Sequence, residues 1–304
     1  MSAVDSISPP VTLSPSADEL APPLTFRQMA WRRFRRHRMA MFGSITLILL
    51  FIYAFGGGMI YTAERANFTD TSQRLSPPSP EHPFGTDTVG RDVLARTIQG
   101  GRVSLMIGLT AAILEIIIGV LIGAAAGFFG GVTDSLLMRF TEAMLIIPAL
   151  FLLIVMARLV GGNVYFIILI LGLTSWMYVA RIVRAEFLSL KENEFVLAAR
   201  SIGTPTREII FRHILPNSMA PIVVAATLAV ATAILAEAYI SFLGMGVQPP
   251  TATWGNMLDG SYNYIESAPW LWIFPGLLIL LTVLSINFVG DGLRDALDPR
   301  SRNI

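Results

Sequence analysis

The sequence predicts an all-α, polytopic membrane protein with six transmembrane helices. Hydrophobic residues make up 54% of the 304 residues and charged residues only 14%, whereas soluble domains carry about 25% charged residues. The hydrophobic residues also occur in long runs, and about 20 residues of helix are enough to cross a bilayer core of about 30 Å. Polar stretches rich in Gly and Pro separate these runs. These observations exclude a soluble globular domain.

Composition also excludes several kinds of site. The chain has no cysteine, which rules out disulfides, zinc–thiolate sites and iron–sulfur clusters. Its three histidines (His37, His82 and His213) are scattered along the chain, so no metal site is expected. A net charge of +1 gives no reason to expect a nucleic-acid partner. Residues 1–24 are rich in Ser, Pro and Ala without an apolar core, which is typical of a disordered tail rather than a signal peptide.

Residues 25–61 predict a basic elbow segment followed by the first transmembrane helix. Thr25 and Gln28 have the spacing of a capping box, so a helix can begin there. Residues 26–38 carry six arginines and three large aromatic residues, Phe26, Trp31 and Phe34. The helix is either an amphipathic helix in the headgroup layer or a basic flank that fixes orientation, and the flank is the simpler interpretation. Both place this end in the cytoplasm.

The rest of the chain predicts five further spans. The first span, about 39–60, is followed by an extracytoplasmic loop at residues 62–102, where the prolines are too dense for regular structure. A core of residues 103–304 holds the other spans and a polar loop at 186–216. Those spans are expected at about 103–129, 135–160, 163–183, 218–242 and 270–289.

The distribution of basic residues predicts that both termini lie in the cytoplasm. With six spans the two ends share a side, and sixteen of the 22 Lys and Arg residues fall on that side and six on the other. An excess of Lys and Arg marks cytoplasmic segments. The 186–216 segment, the longest polar interval of the second half, is therefore also expected in the cytoplasm.

The 186–216 segment predicts two short helices. Ser189 and Glu192 have capping-box spacing, so the first helix is expected from Leu190, and Gly203 is placed to end it. The second helix is expected to start with Thr204 as its cap and Pro205 at its first position, and to close at Pro216. The list of its charged residues is Glu186, Lys191, Glu192, Glu194, Arg200, Arg207, Glu208 and Arg212.

The first of these helices has one apolar face. Phe195, Ala198, Ala199 and Ile202 follow each other at helical spacing, with two small alanines in the middle. Such a face suits binding in a groove of a partner protein. It equally suits packing on the chain's own spans, and spacing alone leaves both alternatives open.

The segment LAARSIGTPTREIIFRHILP resembles the cytoplasmic loop of the membrane subunits of binding-protein-dependent ABC importers. In that pattern Ala198, Ala199, Gly203, Leu215 and Pro216 fall in place, while Leu197 stands where the family has Glu and His213 where it has Ile. Matches to the dipeptide/oligopeptide/nickel branch occur at 82–105, 236–258 and 287–299, and RRHRMAMFG begins the first span. With its single extra N-terminal span, the chain resembles the second permease of the pair in such importers.

The resemblance implies a type I ABC importer permease fold with a cytoplasmic coupling helix, in a bacterial inner membrane. The implied partners are a second permease, two ATPase subunits and an extracytoplasmic substrate-binding protein. ATP and Mg would be bound by the ATPases, and the transported substrate would be a peptide or a nickel chelate. The residues implied in ATPase docking are Glu194, Phe195, Ala198, Ala199, Arg200, Ile202, Gly203, Leu215 and Pro216.

No residues support an enzyme. A Walker A motif requires a Gly-Lys pair, but the only lysine is Lys191 in the sequence KENEF. Glu115 lies in the middle of the second span, where a charge is costly and often functional. It either lines the translocation pathway or is a protonated or hydrogen-bonded carboxyl at a helix contact. An alternative function, a proton-coupled secondary transporter, would depend on Glu115.

Other polar and aromatic residues predict structural roles. Glu142, Glu237 and Asp291 lie near span ends, and Arg139 is spaced to pair with Glu142. Pro148 and Pro275 are expected to kink their helices. The motif at Asp87, Arg91 and Asp92 is interpreted as solvated loop, with a contact to a binding protein or a lid as the alternative. Trp254, Tyr262 and Tyr264 fit an interfacial aromatic belt.

Overall fold

The computed structural model describes residues 25–297, and this range is mostly helical. The tail predicted for residues 1–24 lies outside it. Within the described range the only β feature is an isolated bridge between Thr86 and Asp92. The helices are α1 (Phe26–Arg36), α2 (Arg38–Ile60), α3 (Ala63–Asn67), α4 (Val93–Phe129), α5 (Gly131–Ile146), α6 (Ala149–Val160), α7 (Val164–Ser175), α8 (Met177–Leu190), α9 (Glu194–Ser201), α10 (residues 206–217), α11 (Met219–Phe242), α12 (Trp254–Met257) and α13 (Trp270–Leu297).

The helices make six passes through the molecule, as predicted. Four of them, α2, α4, α11 and α13, are each long and apolar enough to cross a membrane alone. The pairs α5–α6 and α7–α8 meet the same criteria jointly, and they bend by 83° and 43°. The first bend lies at Pro148, which confirms the kink predicted there. Pro275 lies inside α13.

The second span begins earlier than expected. Helix α4 starts at Val93 rather than near Val103, because Asp92 caps it by accepting a 2.8 Å hydrogen bond from the Ala95 amide. The loop predicted for 62–102 is correspondingly shorter, and it contains α3 and a 3-10 turn at Thr71–Gln73. The extra turns carry polar residues, which is why hydropathy alone placed the boundary later.

A column of glycines brings α4 against α8. A Cβ placed on Gly119 would lie 2.6 Å from the Val179 Cβ, and one on Gly127 would lie 2.6 Å from the Phe187 Cβ. Gly123, between them, faces the Ala180 carbonyl just as closely. The three glycines recur every four residues and so lie on one helix face. The α4 backbone therefore contacts α8 directly over about two turns, with no α4 side chain between them.

Helices α1 and α2 pack against the C-terminal helix. On Gly43 of α2 a Cβ would lie 2.6 Å from the Ser285 carbonyl oxygen of α13. Helix α1 has the predicted capping box, with reciprocal hydrogen bonds between Thr25 and Gln28. It ends at His37, which caps α2 through its Nδ1. The basic segment is therefore a separate helix from the first span.

Two polar ends flank the bundle. One end carries the 186–216 segment together with α1 and the end of α13. We call the other end the cap and define it as residues 61–92 and 243–269. Successive spans run alternately towards these two ends, so the cap and the 186–216 segment lie at opposite ends of the helices. The two polar regions are thus separated by the full length of the spans.

The cap is joined to the spans through two buried tryptophans. Trp254 is fully buried and donates from its indole Nε1 to the Thr97 carbonyl at 2.8 Å. Trp270 donates in the same way to the Thr86 carbonyl at 3.0 Å. The prediction that Trp254 belongs to an interfacial aromatic belt is therefore wrong. Its hydrogen-bond partner is 157 positions away in the sequence and could not be read from local spacing.

Candidate functional site

The first short helix of the 186–216 segment begins later than the sequence predicts. Helix α8 continues to Leu190, and α9 covers only Glu194–Ser201 after Asn193. Ser189 lies inside α8, so the predicted capping box of Ser189 and Glu192 is wrong. The reason is packing, because Phe187 is fully buried in the core below and Leu190 packs on the same cluster, which extends α8 by a turn.

Gly203 ends α9 as predicted. Its φ is +80°, a left-handed conformation that side chains with a Cβ adopt only with strain. Its amide donates to the Arg200 carbonyl, and the Thr204 amide donates to the Ala199 carbonyl, both at 3.0 Å. This is the Schellman pattern of helix termination. The turn between α9 and α10 is thereby fixed by one glycine.

Helix α10 starts one residue later than expected. Pro205 is its cap rather than its first residue, since the Pro205 carbonyl accepts from the Ile209 amide at 3.0 Å, and no side-chain bond from Thr204 caps it. The helix widens to π geometry at Ile209–Ile214. Pro216 does not close it, because helical structure continues past Pro216 to α11 with only a turn at Ser218. This segment is therefore a direct extension of the fifth span.

The predicted apolar face of α9 is divided between the interior and the surface. Ala199 is 6% exposed and packs with the fully buried Val196 against Ile209 and Ile214. Phe195, Ala198 and Ile202 point outward. Of the four residues of the predicted face, only Ala199 packs on the chain's own helices. Val196, which anchors the helix, was missed, although its i, i+3 spacing to Ala199 was visible in the sequence.

The outer surface of α9 is mainly apolar. Ile202 is 84% exposed, Leu197 is 45% exposed and Phe195 is 40% exposed. Glu194 is exposed in the first turn of α9. The Arg200 guanidinium lies over the Phe128 ring, 5.6 Å from its centre, so it ties α9 to the end of α4. An apolar patch with a charge at each end is thereby presented away from the bundle.

The remaining docking candidates lie beside this patch. Leu215 is partly buried against the same core cluster as Val196. Pro216 is exposed and lines an open recess with Phe211 and Arg212. The sequence-predicted set is therefore brought together at one end of the molecule, with Ala199 and Leu215 supporting it from beneath.

An ion pair joins this region to the bent pair α5–α6. Arg184 of α8 donates from Nε to Asp134 Oδ1 at 2.5 Å and from Nη2 to Asp134 Oδ2 at 2.7 Å. Such a two-pronged geometry fixes orientation as well as distance. Neither residue was paired by the sequence analysis, because they are 50 positions apart. The predicted Arg139–Glu142 pair is present at 3.5 Å, on the exposed surface.

Glu115 and Glu237 are both buried, in different surroundings. Glu237 is fully buried and accepts hydrogen bonds from Ser104 at 3.1 Å and Ser241 at 2.7 Å, which supports the structural role predicted for it. Glu115 is 5% exposed and has no hydrogen-bond or ion-pair partner within residues 25–297. No fully buried side-chain oxygen in that range lacks a partner, so the Glu115 oxygens keep some accessible surface. Asp291 is exposed.

The motif at Asp87, Arg91 and Asp92 is an internal network rather than solvated loop. Asp87 and Asp92 are 9% and 6% exposed. Asp87 pairs with Arg91 at 2.6 Å, and Asp92 bonds to His82 at 2.9 Å. Nearby on the surface of the cap, hydrogen bonds from the Ser72 hydroxyl and amide lower the pKa of Asp70. The prediction of a solvated motif was wrong, because its charged side chains pair with each other and with His82 and Arg96.

The fold and this site define a class: a multi-pass membrane subunit that presents a helical docking segment at one end of its spans. The chain belongs to the family of binding-protein-dependent transport system inner membrane components, whose model matches residues 119–303. Residues 25–78 match the N-terminal TM domain of oligopeptide transport permease C. The resemblance drawn from the sequence motifs is confirmed. The protein is therefore a multi-pass inner-membrane permease subunit of the ABC transporter class, and this family's subunits are not the catalytic ones.

Two peptide permeases are similar to this chain along most of their length. The dipeptide transport system permease protein DppC of Bacillus subtilis is 43% identical over 282 residues, covering 92% of this chain and 88% of that protein. The oligopeptide transport system permease protein OppC of Haemophilus influenzae is 43% identical over 279 residues, covering 90% and 89%. A chain from inward-facing conformations of the MetNI methionine ABC transporter superimposes with a TM-score of 0.54 at 20% identity, covering 66% of this chain and 95% of that chain. This last likeness shows the fold.

Proposed function

We propose that the chain forms, with a second and similar permease, the pathway through which di- or oligopeptides are imported across the inner membrane. The proposal rests on the matches to a dipeptide and an oligopeptide permease along about nine-tenths of this chain. An extracytoplasmic binding protein delivers the peptide, and two separate ATPase subunits supply the energy. The alternative of a proton-coupled carrier that uses Glu115 has no support among these relatives.

The outer surface of α9 is the proposed contact for the ATPase. Phe195, Ala198 and Ile202 form its apolar centre, and Gly203 fixes the turn that presents it. Helix-in-groove recognition uses such a short apolar face. ATP and Mg bind to the ATPase, since this chain lacks the Gly-Lys pair of a Walker A motif.

This arrangement also explains how movement reaches the spans. Val196 anchors α9 in the cluster that contains Phe187 of α8 and Ile222 of α11. A displacement of α9 is therefore transmitted to both helices, because packed cores move as units rather than deforming continuously. In this proposal closure of the two ATPase subunits moves the spans between inward- and outward-open states.

Ala198→Trp tests the docking surface. Ala198 is exposed, so the substitution leaves the fold intact but blocks close approach of a partner. We expect ATP-dependent peptide uptake by reconstituted vesicles to fall about tenfold or more, since a misfit of about 1.4 kcal/mol at an interface has that effect. Less ATPase should also co-purify with the permease.

Met39→Trp is the matched control, because Met39 is also exposed at the same end of the bundle but on α2. It should transport normally. Gly203→Val is a second test, since valine at a φ of +80° is strained and should displace α9. Wild-type uptake by both Ala198→Trp and Gly203→Val would refute the docking surface. A purified complex that transports peptide without any ATPase subunit would refute the whole proposal.

A further inference from the structure

The cap contains a polar cavity that the proposed docking and pathway residues leave unused. It lies between the start of α4 and residues 256–264 and has a volume of about 330 Å³. Ligand pockets for small molecules begin at about this size. Its charged lining residues are Asp87, Arg91, Arg96 and Asp259, with Asn263 and Tyr264 beside them. The cavity is therefore large enough for a small ligand and has both positive and negative walls.

Arg96 is a buried cation whose one ion pair, with Asp87, is long. Only 5% of its side chain is exposed. Its nearest acceptors are the Asn67 Oδ1 at 3.4 Å, the Ala66 carbonyl at 3.5 Å and Asp87 Oδ2 at 3.7 Å. Charged hydrogen bonds are normally about 2.7–2.9 Å long. Every contact of this guanidinium with the described residues is thus longer than a good charge-assisted bond.

Asp87 is bound more tightly to Arg91 than to Arg96. Its Oδ2 accepts from Arg91 Nε at 2.6 Å. Its Oδ1 accepts from the amides of Val89 at 2.9 Å and Arg91 at 3.0 Å. The other nearby carboxylate, Asp92, accepts from the Ala95 amide and bonds to His82. Two arginines therefore share Asp87, and the shorter contact goes to Arg91, which leaves the Arg96 guanidinium without a short ion pair.

Both arginines line the cavity and have nitrogen atoms without a hydrogen-bond partner in the described range. Arg96 Nη2 has no hydrogen-bond partner within residues 25–297, and no fully buried side-chain nitrogen in that range lacks one. Arg96 Nη2 therefore keeps accessible surface, and Arg96 lines this cavity. Arg91 is 21% exposed and uses only its Nε in the pair with Asp87. An anion entering the cavity would thus find donors from both side chains.

We propose that this cavity binds the terminal carboxylate of a short peptide. Guanidinium groups recognise carboxylates through paired hydrogen bonds, and a buried, poorly paired arginine gains most from such a ligand. Asp259, which is exposed on the cavity wall and has no basic partner in the described range, can accept from the peptide's ammonium group. That the ligand is a peptide rests on the proposed function. That the ligand carries a carboxylate rests on the arginines alone.

The test is a binding titration with dialanine on the complex of both permeases and the ATPases in lipid nanodiscs, without binding protein. Because this chain has no cysteine, Asn263→Cys gives it a single labelling site at the cavity for an environment-sensitive fluorophore. We expect saturable binding of dialanine. Dialanine amide, which lacks the carboxylate, should bind about tenfold or more weakly, as expected for loss of a charged hydrogen bond.

Arg96→Gln and Arg91→Gln should weaken dialanine binding by a similar factor. Arg102→Gln is the matched control, since Arg102 lies on α4 outside the cavity, and it should bind normally. Size-exclusion chromatography of each variant shows whether the complex is assembled. If Arg96→Gln does not assemble, Arg91→Gln alone decides, because Arg91 is less buried.

Three results would overturn the inference. These are equal binding of dialanine and its amide, unchanged binding by assembled Arg91→Gln and Arg96→Gln, and weakening of binding-protein association rather than peptide binding by these variants. The last result would assign the carboxylate to a side chain of the binding protein. Peptide uptake by the wild-type complex is measured separately. Absence of uptake would contradict the proposed function, whereas uptake without binding at this cavity would contradict this inference alone.

Discussion

The two buried glutamates, Glu237 and Glu115, have different surroundings. Glu237 is surrounded by hydroxyl groups that satisfy its oxygens, and Ser104, one of these partners, also accepts from the Trp254 amide at 3.1 Å. Glu237 therefore fixes the cap to the spans. Glu115 has no such partners in the described range, so the alternative of a hydrogen-bonded carboxyl at a helix contact finds no support within this chain. Its oxygens keep some accessible surface and have no partner within residues 25–297.

We predict that Glu115→Gln reduces peptide uptake severalfold while the permease still inserts and assembles. Glutamine has the same shape but no charge, so insertion of the helix into the membrane is not made more costly. Uptake and co-purification of the subunits are measured together. Glu142→Gln, which alters an exposed glutamate, is the control and should leave uptake unchanged. Unchanged uptake by Glu115→Gln would return Glu115 to a structural role.

At the scale of the helices, an ion pair joins the bent pair α5–α6 to α8, beside the stack of Phe140 on Trp176. Asp134 lies in the first turn of α5, and Arg184 lies on α8 two residues before the 186–216 segment. Their two-pronged contact is only partly exposed, with 18% and 33% of the side chains accessible. It therefore connects the helix that leads to the docking segment with the most strongly bent part of the bundle.

We predict that Asp134→Asn uncouples ATP hydrolysis from transport. Peptide uptake should fall about fivefold, the effect of losing about 1 kcal/mol of coupling between contacting residues, while ATP hydrolysis by the complex continues. Exchanging the charges with Asp134→Arg and Arg184→Asp together should recover part of the uptake. Equal defects in the single and the exchanged variants would show that the pair itself carries no coupling.

At the scale of the whole molecule, the six passes place the cap and the docking segment at opposite ends. The sequence predicts which end is cytoplasmic, because sixteen of 22 basic residues share the side of the 186–216 segment. The proposed function requires the same orientation, since ATPases act in the cytoplasm and binding proteins outside it. The ATPase-docking surface and the peptide-binding cavity therefore both require this one orientation of the chain.

We predict that single cysteines at the two ends react from opposite sides of the membrane. Asn263→Cys in the cap and Ser201→Cys in α9 both alter exposed residues of a chain without cysteine. In spheroplasts a membrane-impermeant maleimide should label only the cap cysteine. In inverted vesicles it should label only the cysteine in α9. Labelling with the reverse pattern would contradict the orientation and, with it, the ATPase-docking surface.

The sequence predicts the number of spans and the termination of α9, because both depend on local chemistry. A helix in lipid satisfies its own backbone bonds, so a long apolar run is sufficient evidence for it. Gly203 is recognisable because few residues other than glycine adopt its conformation. The exposed side of α9 was harder to predict, because both Phe195 and its buried neighbour Val196 are apolar. The partners of Trp254 and Asp134 were out of reach, since they are distant in sequence.

The glycine column of α4 also limits how the length of this protein can vary. One inserted residue between Val93 and Gly119 would rotate every later position of the helix by about 100°. Gly119, Gly123 and Gly127 would then leave α8, and larger residues would face it. Natural homologues should therefore differ in length in the cap and in the connections between spans, and almost never within α4.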